Sequence, residues 1–376
     1  MKHVMRAVCA FWLVLFISLR VCCSLECPQF KIITEYKHKY PATIIQSKLS
    51  DDGKQFYIIT SDGGLYCYAL NGVEQWHFKY PGASSPQWFV SDIAASPNGT
   101  NLAALAIRNS NSYVLSGSTG PLSRAQLDAK VIYFDSGRLK WELTLDAASK
   151  LHISPNGMVL VEPLRDEYAR VHGKYRLIDS AGNTILSIPS AESENENANL
   201  TAGFSDTGDY LFIENRILRG TGSIIAEFGY RNYILAVLGK YAFVQSFSKA
   251  DSVLKVYDMD TDKMLWRKTI NQDMADDILT EVSFSGGIVL VKNAGAYELK
   301  DGESVKFGFD GIPEFLIPPG YFFVKGNASF LIYNKSGKCG NLRTAKDDIC
   351  IANSGMLLCY TPTDLRIYGT SSLKLQ

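Results

Sequence analysis

Short β-prone runs of apolar residues recur along the whole chain. They are rich in β-branched and aromatic residues, and turn residues separate them. No long amphipathic helical pattern competes with them, so the pattern predicts an all-β protein. The clearest runs are residues 55–60, 65–70, 131–134, 210–213, 253–257, 287–291 and 330–333.

Turns that end in glycine punctuate these runs at intervals. Four share one pattern: Ser50-Asp51-Asp52-Gly53, Ser96-Pro97-Asn98-Gly99, Ser154-Pro155-Asn156-Gly157 and Ser205-Asp206-Thr207-Gly208. Glycine supplies the positive φ that a tight hairpin requires. Weaker versions occur at Gly239, Gly287, Gly320 and Gly355. The mean spacing of the eight glycines is about 43 residues, which suits one four-stranded blade per repeat.

A second turn follows in many repeats, with a large apolar residue four positions after it. Gly72 precedes Trp76, Gly137 precedes Trp141, and Asp262 precedes Trp266. A ring at a fixed place on the outermost strand would pack between neighbouring blades. Trp76, Trp141 and Trp266 are therefore interpreted as structural residues.

The repeats together predict a single β-propeller of eight four-stranded blades over residues 25–376. If one degenerate repeat is miscounted, the number of blades is seven or nine. After residues 365–368 too few residues remain to form the outer strand of the last blade, whereas residues 30–36 form a strand ahead of the first blade. We expect that N-terminal strand to complete the last blade, because closure removes exposed sheet edges.

The first residues predict export. Lys2, His3 and Arg6 precede an apolar stretch over residues 7–19, which is too short to span a bilayer. Such a pattern is typical of a secretory signal peptide at residues 1–24, cut before Ser24 or Leu25. An uncleaved anchor and lipidation at Cys22 or Cys23 remain open. No later apolar run is long enough to span a membrane, so the mature chain is expected to be secreted or periplasmic.

Composition narrows the partners. Lys and Arg together number 38, and Asp and Glu together also number 38, so the net charge gives no indication of binding to nucleic acid.

The cysteines after residue 24 indicate disulfides. Four of them lie towards the two ends of the chain, which indicates disulfides where the ends meet and leaves Cys67 unpaired: Cys27, Cys339, Cys350 and Cys359. The sequence has no CxxC pair and its histidines are scattered, so no metal site is predicted.

One repeat carries a family resemblance. Val256-Tyr257-Asp258-Met259-Asp260-Thr261-Asp262-Lys263-Met264-Leu265-Trp266 resembles the repeat of the pyrroloquinoline-quinone (PQQ) dehydrogenase-like propellers, in which an Asp, a Thr-Gly-Lys-like turn and a Trp recur. Residues 68–76 and 132–141 are similar but looser, and the Ser-Pro-Asn-Gly turns resemble those of WD-type propellers. The resemblance covers nearly the whole mature chain and implies an eight-bladed fold.

That superfamily contains quinone-dependent alcohol dehydrogenases and also non-catalytic scaffolds such as the outer-membrane assembly lipoprotein propeller. After residue 24 this sequence has neither the adjacent cysteine pair that is typical of the family's quinone site nor a CxxCH haem site. The resemblance therefore implies the non-catalytic branch, with no cofactor. The alternative is a quinone-dependent dehydrogenase or hydrolase with its substrate in the central channel.

Long segments mark the expected recognition face. Residues 80–90, 109–130, 165–174, 189–199 and 271–277 all connect strands on the face opposite the glycine hairpins. We expect this face to bind a protein or a cell-envelope component. Trp88 is the best single candidate, because no repeat position explains it. The other candidates combine positive charge, aromatic character and hydrogen-bonding groups, although a solvated polar loop explains them as well: Arg124, Arg165, Tyr168, Arg170 and His172.

Overall fold

The computed structural model consists entirely of strands and their connections in the part of the chain that it describes. No described helix is long and apolar enough to cross a membrane. The described residues are 30–37, 42–80, 88–108, 128–145, 147–165, 171–190, 201–220, 222–229, 231–247, 252–270, 282–292, 295–305, 313–317, 321–326, 329–334, 337–344, 349–353 and 356–370.

The strands form small antiparallel sheets in chain order, and each sheet is one blade of a propeller. Strand β1 (Phe30–Lys37) precedes the first blade. Blade 1 contains β2 (Ile44–Leu49), β3 (Gln55–Thr60), β4 (Leu65–Ala69) and β5 (Glu74–Phe78). Blade 2 contains β6 (Trp88–Ala95), β7 (Asn101–Arg108), β8 (Ala129–Asp135) and β9 (Arg138–Leu145).

Blade 3 carries an additional hairpin. Its four strands are β10 (Lys150–Ile153), β11 (Val159–Glu162), β14 (Tyr175–Ile178) and β15 (Thr184–Ile188). The hairpin between its second and third strands consists of β12 (Leu164–Arg165) and β13 (Val171–His172). Blade 4 contains β16 (Ala202–Phe204), β17 (Tyr210–Ile213), β18 (Arg216–Arg219) and β19 (Ser223–Glu227).

The remaining blades follow the same order. Blade 5 contains β20 (Asn232–Leu238), β21 (Tyr241–Phe247), β22 (Ser252–Asp258) and β23 (Lys263–Ile270). Blade 6 contains β24 (Val282–Ser285), β25 (Ile288–Val291) and β26 (Gly295–Glu298), and a bridge from Tyr297 to Ser304 lies where its fourth strand belongs. Blade 7 contains β27 (Phe315–Ile317), β28 (Tyr321–Gly326), β29 (Ser329–Asn334) and β30 (Gly337–Arg343).

The eighth blade closes the ring by strand exchange. It consists of β31 (Ile349–Asn353), β32 (Met356–Tyr360) and β33 (Asp364–Thr370), and β1 pairs antiparallel with β33 as its outermost strand. The Tyr36 hydroxyl in β1 donates to the Tyr68 hydroxyl of blade 1 at 2.7 Å, so the exchanged strand also contacts the first blade. Both the eight-bladed propeller and its closure by the N-terminal strand are confirmed.

The core lies between blades rather than inside any one of them. The described residues form eight apolar clusters, and each cluster joins two neighbouring blades, including the eighth and the first. Both faces of an inner strand are therefore buried, which explains continuous burial along β3, β25 and β32. Outermost strands such as β5 alternate between half-buried and exposed residues instead.

The glycine hairpins join the first and second strands of each blade, as predicted. The six that are described have positive φ: Gly53, Gly99, Gly157, Gly208, Gly239 and Gly287. Two expected loops extend less far than predicted. Trp88 begins strand β6 and Arg165 ends strand β12, because both residues enter antiparallel pairing.

Candidate functional site

The chain order of the strands gives the propeller two different faces. We call the face with the first-to-second and third-to-fourth connections the tight-turn face, and the opposite face the long-loop face. The connections at the long-loop face include residues 79–87, 109–128 and 271–281. Loops gathered at one side of a rigid scaffold are the usual place of recognition.

Trp88 belongs to a compact polar and aromatic cluster at the long-loop face. Its ring lies 5.8 Å from that of Tyr80, and the Lys130 Nζ lies 4.8 Å from the centre of the Trp88 ring. The same ammonium lies 5.0 Å from the centre of the Tyr80 ring. Such cation–π contacts orient the cation and both rings. We call Tyr80, Trp88, Lys130 and Glu142 the Trp88 cluster.

A chain of hydrogen bonds holds the Trp88 cluster together. The Lys130 ammonium donates to the Tyr80 hydroxyl, which donates to Glu142 Oε2 at 2.8 Å. The hydrogen bond to Tyr80, together with the Glu142 carboxylate, raises the pKa of Lys130. Burial and Glu142 raise the pKa of Tyr80. Lys130 therefore stays positive and Tyr80 stays protonated at neutral pH.

The structure gives only partial information on the other predicted binding residues. Backbone pairing joins Leu164 to His172 and Arg165 to Val171, so Arg165 and His172 lie on neighbouring strands of the blade 3 hairpin. Tyr168 and Arg170 lie in the connection between β12 and β13, and Arg124 lies in the connection between β7 and β8. All three residues are outside the described residues. The hairpin leaves blade 3 between its second and third strands, at the same face as the Trp88 cluster.

The innermost strands carry a second polar group, along the central channel. Asp92 in blade 2 accepts a hydrogen bond from the Gln46 amide of blade 1 at 3.3 Å and from the Leu151 amide of blade 3 at 2.9 Å. Burial lowers the pKa of Lys48, although the charge of Asp92 opposes the shift. Asp92 thus links three consecutive blades at the axis.

One imidazole and one carboxylate also pair near the channel. His152 Nε2 of strand β10 lies 2.5 Å from Oε1 of Glu162, a buried residue of β11. The described residues contain no group of three potential metal ligands. The sequence after residue 24 has no adjacent cysteine pair of the kind that the family resemblance associates with a quinone site.

The three repeat tryptophans lie on outermost strands and contact the next blade. Trp141 stacks on Tyr133 of its own blade at 4.9 Å, and its indole N–H donates to the Ser180 carbonyl of blade 3 at 3.1 Å. The indole N–H of Trp266 likewise donates to the Leu299 carbonyl of blade 6 at 2.6 Å. Trp76 stacks on Phe134 of blade 2 at 5.2 Å. The structural role of the three tryptophans stays a prediction.

The five cysteines after residue 24 differ in where the structure places them. Cys67 is free and buried, and its burial raises the pKa of the thiol to about 12. Cys350 lies directly opposite Cys359 in the pairing of β31 with β32. Cys339 lies in β30, and Cys27 lies outside the described residues. The predicted disulfides among these four residues stay a prediction.

Sequence reasoning missed most of the residues around Trp88 and along the channel. Tyr80 follows strand β5, Lys130 lies in β8 and Glu142 lies in β9, and only the fold brings them together. A weak signal existed for Asp92, which is a carboxylate within the mostly apolar run of residues 88–95. Buried carboxylates are costly unless they accept hydrogen bonds, so such a position indicates a specific partner.

Comparison with known proteins establishes the fold and leaves the function open. No protein-family model matches the sequence, and the curated proteins contain no significant match. Among solved structures, 1170 chains match significantly, so the architecture is widespread. BamB from Moraxella catarrhalis matches with a TM-score of 0.58 and 13% sequence identity, over 91% of this chain and 100% of that chain. The protein is therefore an eight-bladed propeller with the PQQ-like fold that its repeat predicted.

Proposed function

We propose that this protein is an exported scaffold that binds a protein of the cell envelope through its long-loop face. The observation that carries the proposal is the Trp88 cluster, which combines two aromatic rings with an ion pair between the half-buried Lys130 and the exposed Glu142. Tyrosine and tryptophan are enriched in the centres of protein interfaces. Trp88 is half-buried, which leaves part of this residue accessible.

The rigidity of the Trp88 cluster favours a binding role. Lys130 and Glu142 approach to 3.5 Å, and both contact Tyr80. Side chains already held by such contacts lose less conformational entropy when a partner binds. Arg124, Arg165, Tyr168, Arg170 and His172 are proposed to extend the interface around this centre.

The proposed export rests on residues 1–24, which have the charge and apolar pattern of a signal peptide. For a protein exported to the cell envelope, the likeness in fold to BamB is consistent with a scaffold that binds other proteins. The likeness itself concerns the fold alone, since the identity is 13%.

Photo-crosslinking in the native source cells tests the binding face. A photoreactive amino acid at Lys79 would lie on the long-loop face, where Lys79 pairs with Asp62 at 2.8 Å. The matched control is Asn71, which is exposed at the other end of the same outer strand. We expect a protein adduct from position 79 and none from position 71.

A Trp88→Ala variant sharpens the test. It should reduce the adduct at position 79 at least tenfold, since a central aromatic residue contributes about 2 kcal/mol or more to many interfaces. Equal adducts from positions 79 and 71, or an adduct that Trp88→Ala leaves unchanged, would contradict the proposed face.

A further inference from the structure

A polar cleft opens on the tight-turn face between blades 2 and 3, opposite the Trp88 cluster. Its volume is about 500 Å³, which lies within the usual range for small-molecule sites. Most such sites are mainly apolar, whereas this one is bordered almost wholly by polar side chains. The lining residues are Thr100, Asn101, Tyr133, Asp135, Ser136, Lys140, Asn156 and Ser180.

Tyr133 lines this cleft, and its buried hydroxyl has no hydrogen-bond partner among the described residues. Tyr133 as a whole is 1% exposed. A buried hydroxyl without a partner costs free energy in the folded state. Such a group indicates that something outside the chain, water or a ligand, completes its hydrogen bonding.

The neighbouring interface shows how the fold normally satisfies a tyrosine at this place. Between blades 1 and 2, the Tyr57 hydroxyl donates to the Gly99 carbonyl at 2.9 Å and lies 3.0 Å from the Gln55 amide oxygen. Gly99 belongs to the same kind of turn as Gly157, which borders the Tyr133 hydroxyl. The two interfaces therefore have equivalent turns but differ in their hydrogen bonds.

An exchange of large and small residues causes the difference. In blade 1, Tyr57 on the second strand pairs with Cys67 on the third. At the equivalent pair in blade 2, the second strand has Ala103 and the third has Tyr133. The aromatic ring thus reaches the interface from the third strand, and its hydroxyl no longer meets the turn carbonyl.

The charges around the cleft balance. Lys140 Nζ lies 3.3 Å from Asp135 Oδ2, and hydrogen bonds from Ser136 and Lys140 lower the pKa of Asp135. The carboxylate can accept and the ammonium can donate, while the Asn101 and Asn156 amides do both. A cleft of this kind has no net preference for an anion or a cation.

We propose that this cleft binds a saccharide, whose ring hydroxyls complete the hydrogen bonding of Tyr133, Asn101 and Asn156. Neighbouring hydroxyls of one sugar ring match the Asp135–Lys140 pair, because each sugar hydroxyl both donates and accepts. Burial, with a smaller effect of Asp135, raises the pKa of Tyr133 to about 12. Tyr133 therefore keeps its proton and donates at neutral pH. This site is separate from the protein-binding face proposed above and does not depend on it.

Titration calorimetry and saturation-transfer NMR with three disaccharides test the site. The probes are cellobiose, maltose and N,N′-diacetylchitobiose, added to the mature protein. We expect at least one of them to bind with a dissociation constant in the millimolar range. Tyr133→Phe should weaken that binding about fivefold, since one hydrogen bond contributes about 1 kcal/mol and 1.4 kcal/mol is a factor of ten.

Two control variants make the result specific. Tyr57→Phe removes the equivalent hydroxyl at the neighbouring interface and should leave saccharide affinity unchanged. Trp88→Ala on the opposite face should also leave it unchanged. The proposal is overturned if none of the three disaccharides binds, which would leave water as the partner of Tyr133, or if Tyr133→Phe binds as tightly as the wild type.

Discussion

Glycine residues at the third-to-fourth turns make room for the large residue of the preceding blade. A Cβ atom at Gly302 would lie 2.7 Å from the Trp266 ring, and one at Gly182 would lie 3.0 Å from the Trp141 ring. Both glycines also have positive φ. Glycine at each of these positions therefore avoids both backbone strain and a clash with the tryptophan. The clash arises only when neighbouring blades are assembled into the ring.

The effect of packing at these turns can be separated from backbone strain. Gly137 and Gly72 have nearly the same φ, 78° and 80°. A Cβ atom at Gly137 would lie 2.7 Å from Nε1 of Trp76, whereas Gly72 has nothing within 4 Å. We expect Gly72→Ala to lower the free energy of unfolding by about 1 kcal/mol and Gly137→Ala to lower it by a further ~1–3 kcal/mol. Urea denaturation of both variants measures the difference, and equal losses would show that Trp76 does not restrict this position.

Two buried tyrosines should respond oppositely to loss of their hydroxyl. Tyr57→Phe removes the hydrogen bond to the Gly99 carbonyl, so the free energy of unfolding should fall by about 1 kcal/mol. Tyr133→Phe removes a hydroxyl that has no partner among the described residues, so stability should stay the same or rise. Thermal unfolding without any saccharide compares the two variants. A larger loss for Tyr133→Phe would mean that its hydroxyl is already satisfied.

At the scale of the element, the four strands of a blade have different environments. Second and third strands are buried on both faces, as in β3 and β4, while outermost strands are buried on one. The outermost strand β1 also contacts the next blade, because the Thr34 hydroxyl donates to the Leu70 carbonyl of blade 1. The exchanged strand therefore stabilises the eighth blade and its junction with the first.

Removal of β1 should open the ring at this junction. A chain that begins at residue 42 lacks β1 and leaves the edge of β33 unpaired. We expect a lower melting temperature and concentration-dependent self-association, because an unpaired edge recruits other strands. A synthetic peptide of residues 30–37 should restore the melting temperature, and a scrambled peptide should not. An unchanged melting temperature without β1 would show that closure adds no stability.

The pairing of β31 with β32 makes a specific disulfide testable. Directly opposite residues in an antiparallel pair have Cα atoms about 4.5–5.5 Å apart, within the range of disulfides. Cys350 and Cys359 occupy such positions. We expect mass spectrometry of the unreduced, exported protein to find a peptide that links them, with Cys67 alkylated only after unfolding. A bond from Cys359 to Cys27 or Cys339 would instead support a staple between the chain ends.

At the scale of the whole molecule, closure brings residues far apart in sequence into one sheet. Glu35 lies 3.3 Å from Arg366 across the pairing of β1 with β33. The N-terminal strand begins at Phe30, shortly after the expected cleavage site. A signal peptide that stayed attached would therefore join the ring at the outer edge of blade 8.

Processing at the N-terminus is a direct test of export. N-terminal sequencing of the protein from its native source should begin at Ser24 or Leu25, because the apolar stretch before them has the length of a signal peptide. A matched variant with Leu13→Arg and Leu15→Arg interrupts that stretch and should keep the protein inside the cell with residue 1 or 2 first. Release of wild-type protein that still begins at residue 1 would contradict cleavage.

The repeat was predictable from sequence because its causes are local. A glycine hairpin needs only its own turn residues, and a run such as residues 55–60 is apolar wherever it folds. The eight turns and the N-terminal closure strand followed from these local features. The Trp88 cluster did not, because Tyr80 follows the last strand of blade 1, whereas Trp88 and Lys130 lie on two different strands of blade 2.

The amino-acid sequence alone thus determined the class of fold and the strand that closes the ring, and it favoured eight blades. The tertiary structure decided which side chains meet across blades. Ser91 is an extra residue in the pairing of β6 with β7, where the register shifts between Val90 and Asp92. Such a shift changes the sheet face on which every later side chain lies, so the partners of Asp92 follow from the register, which the sequence does not reveal. The sequence also does not reveal the surroundings of the Tyr133 hydroxyl, since they depend on the Gly157 turn in the next blade.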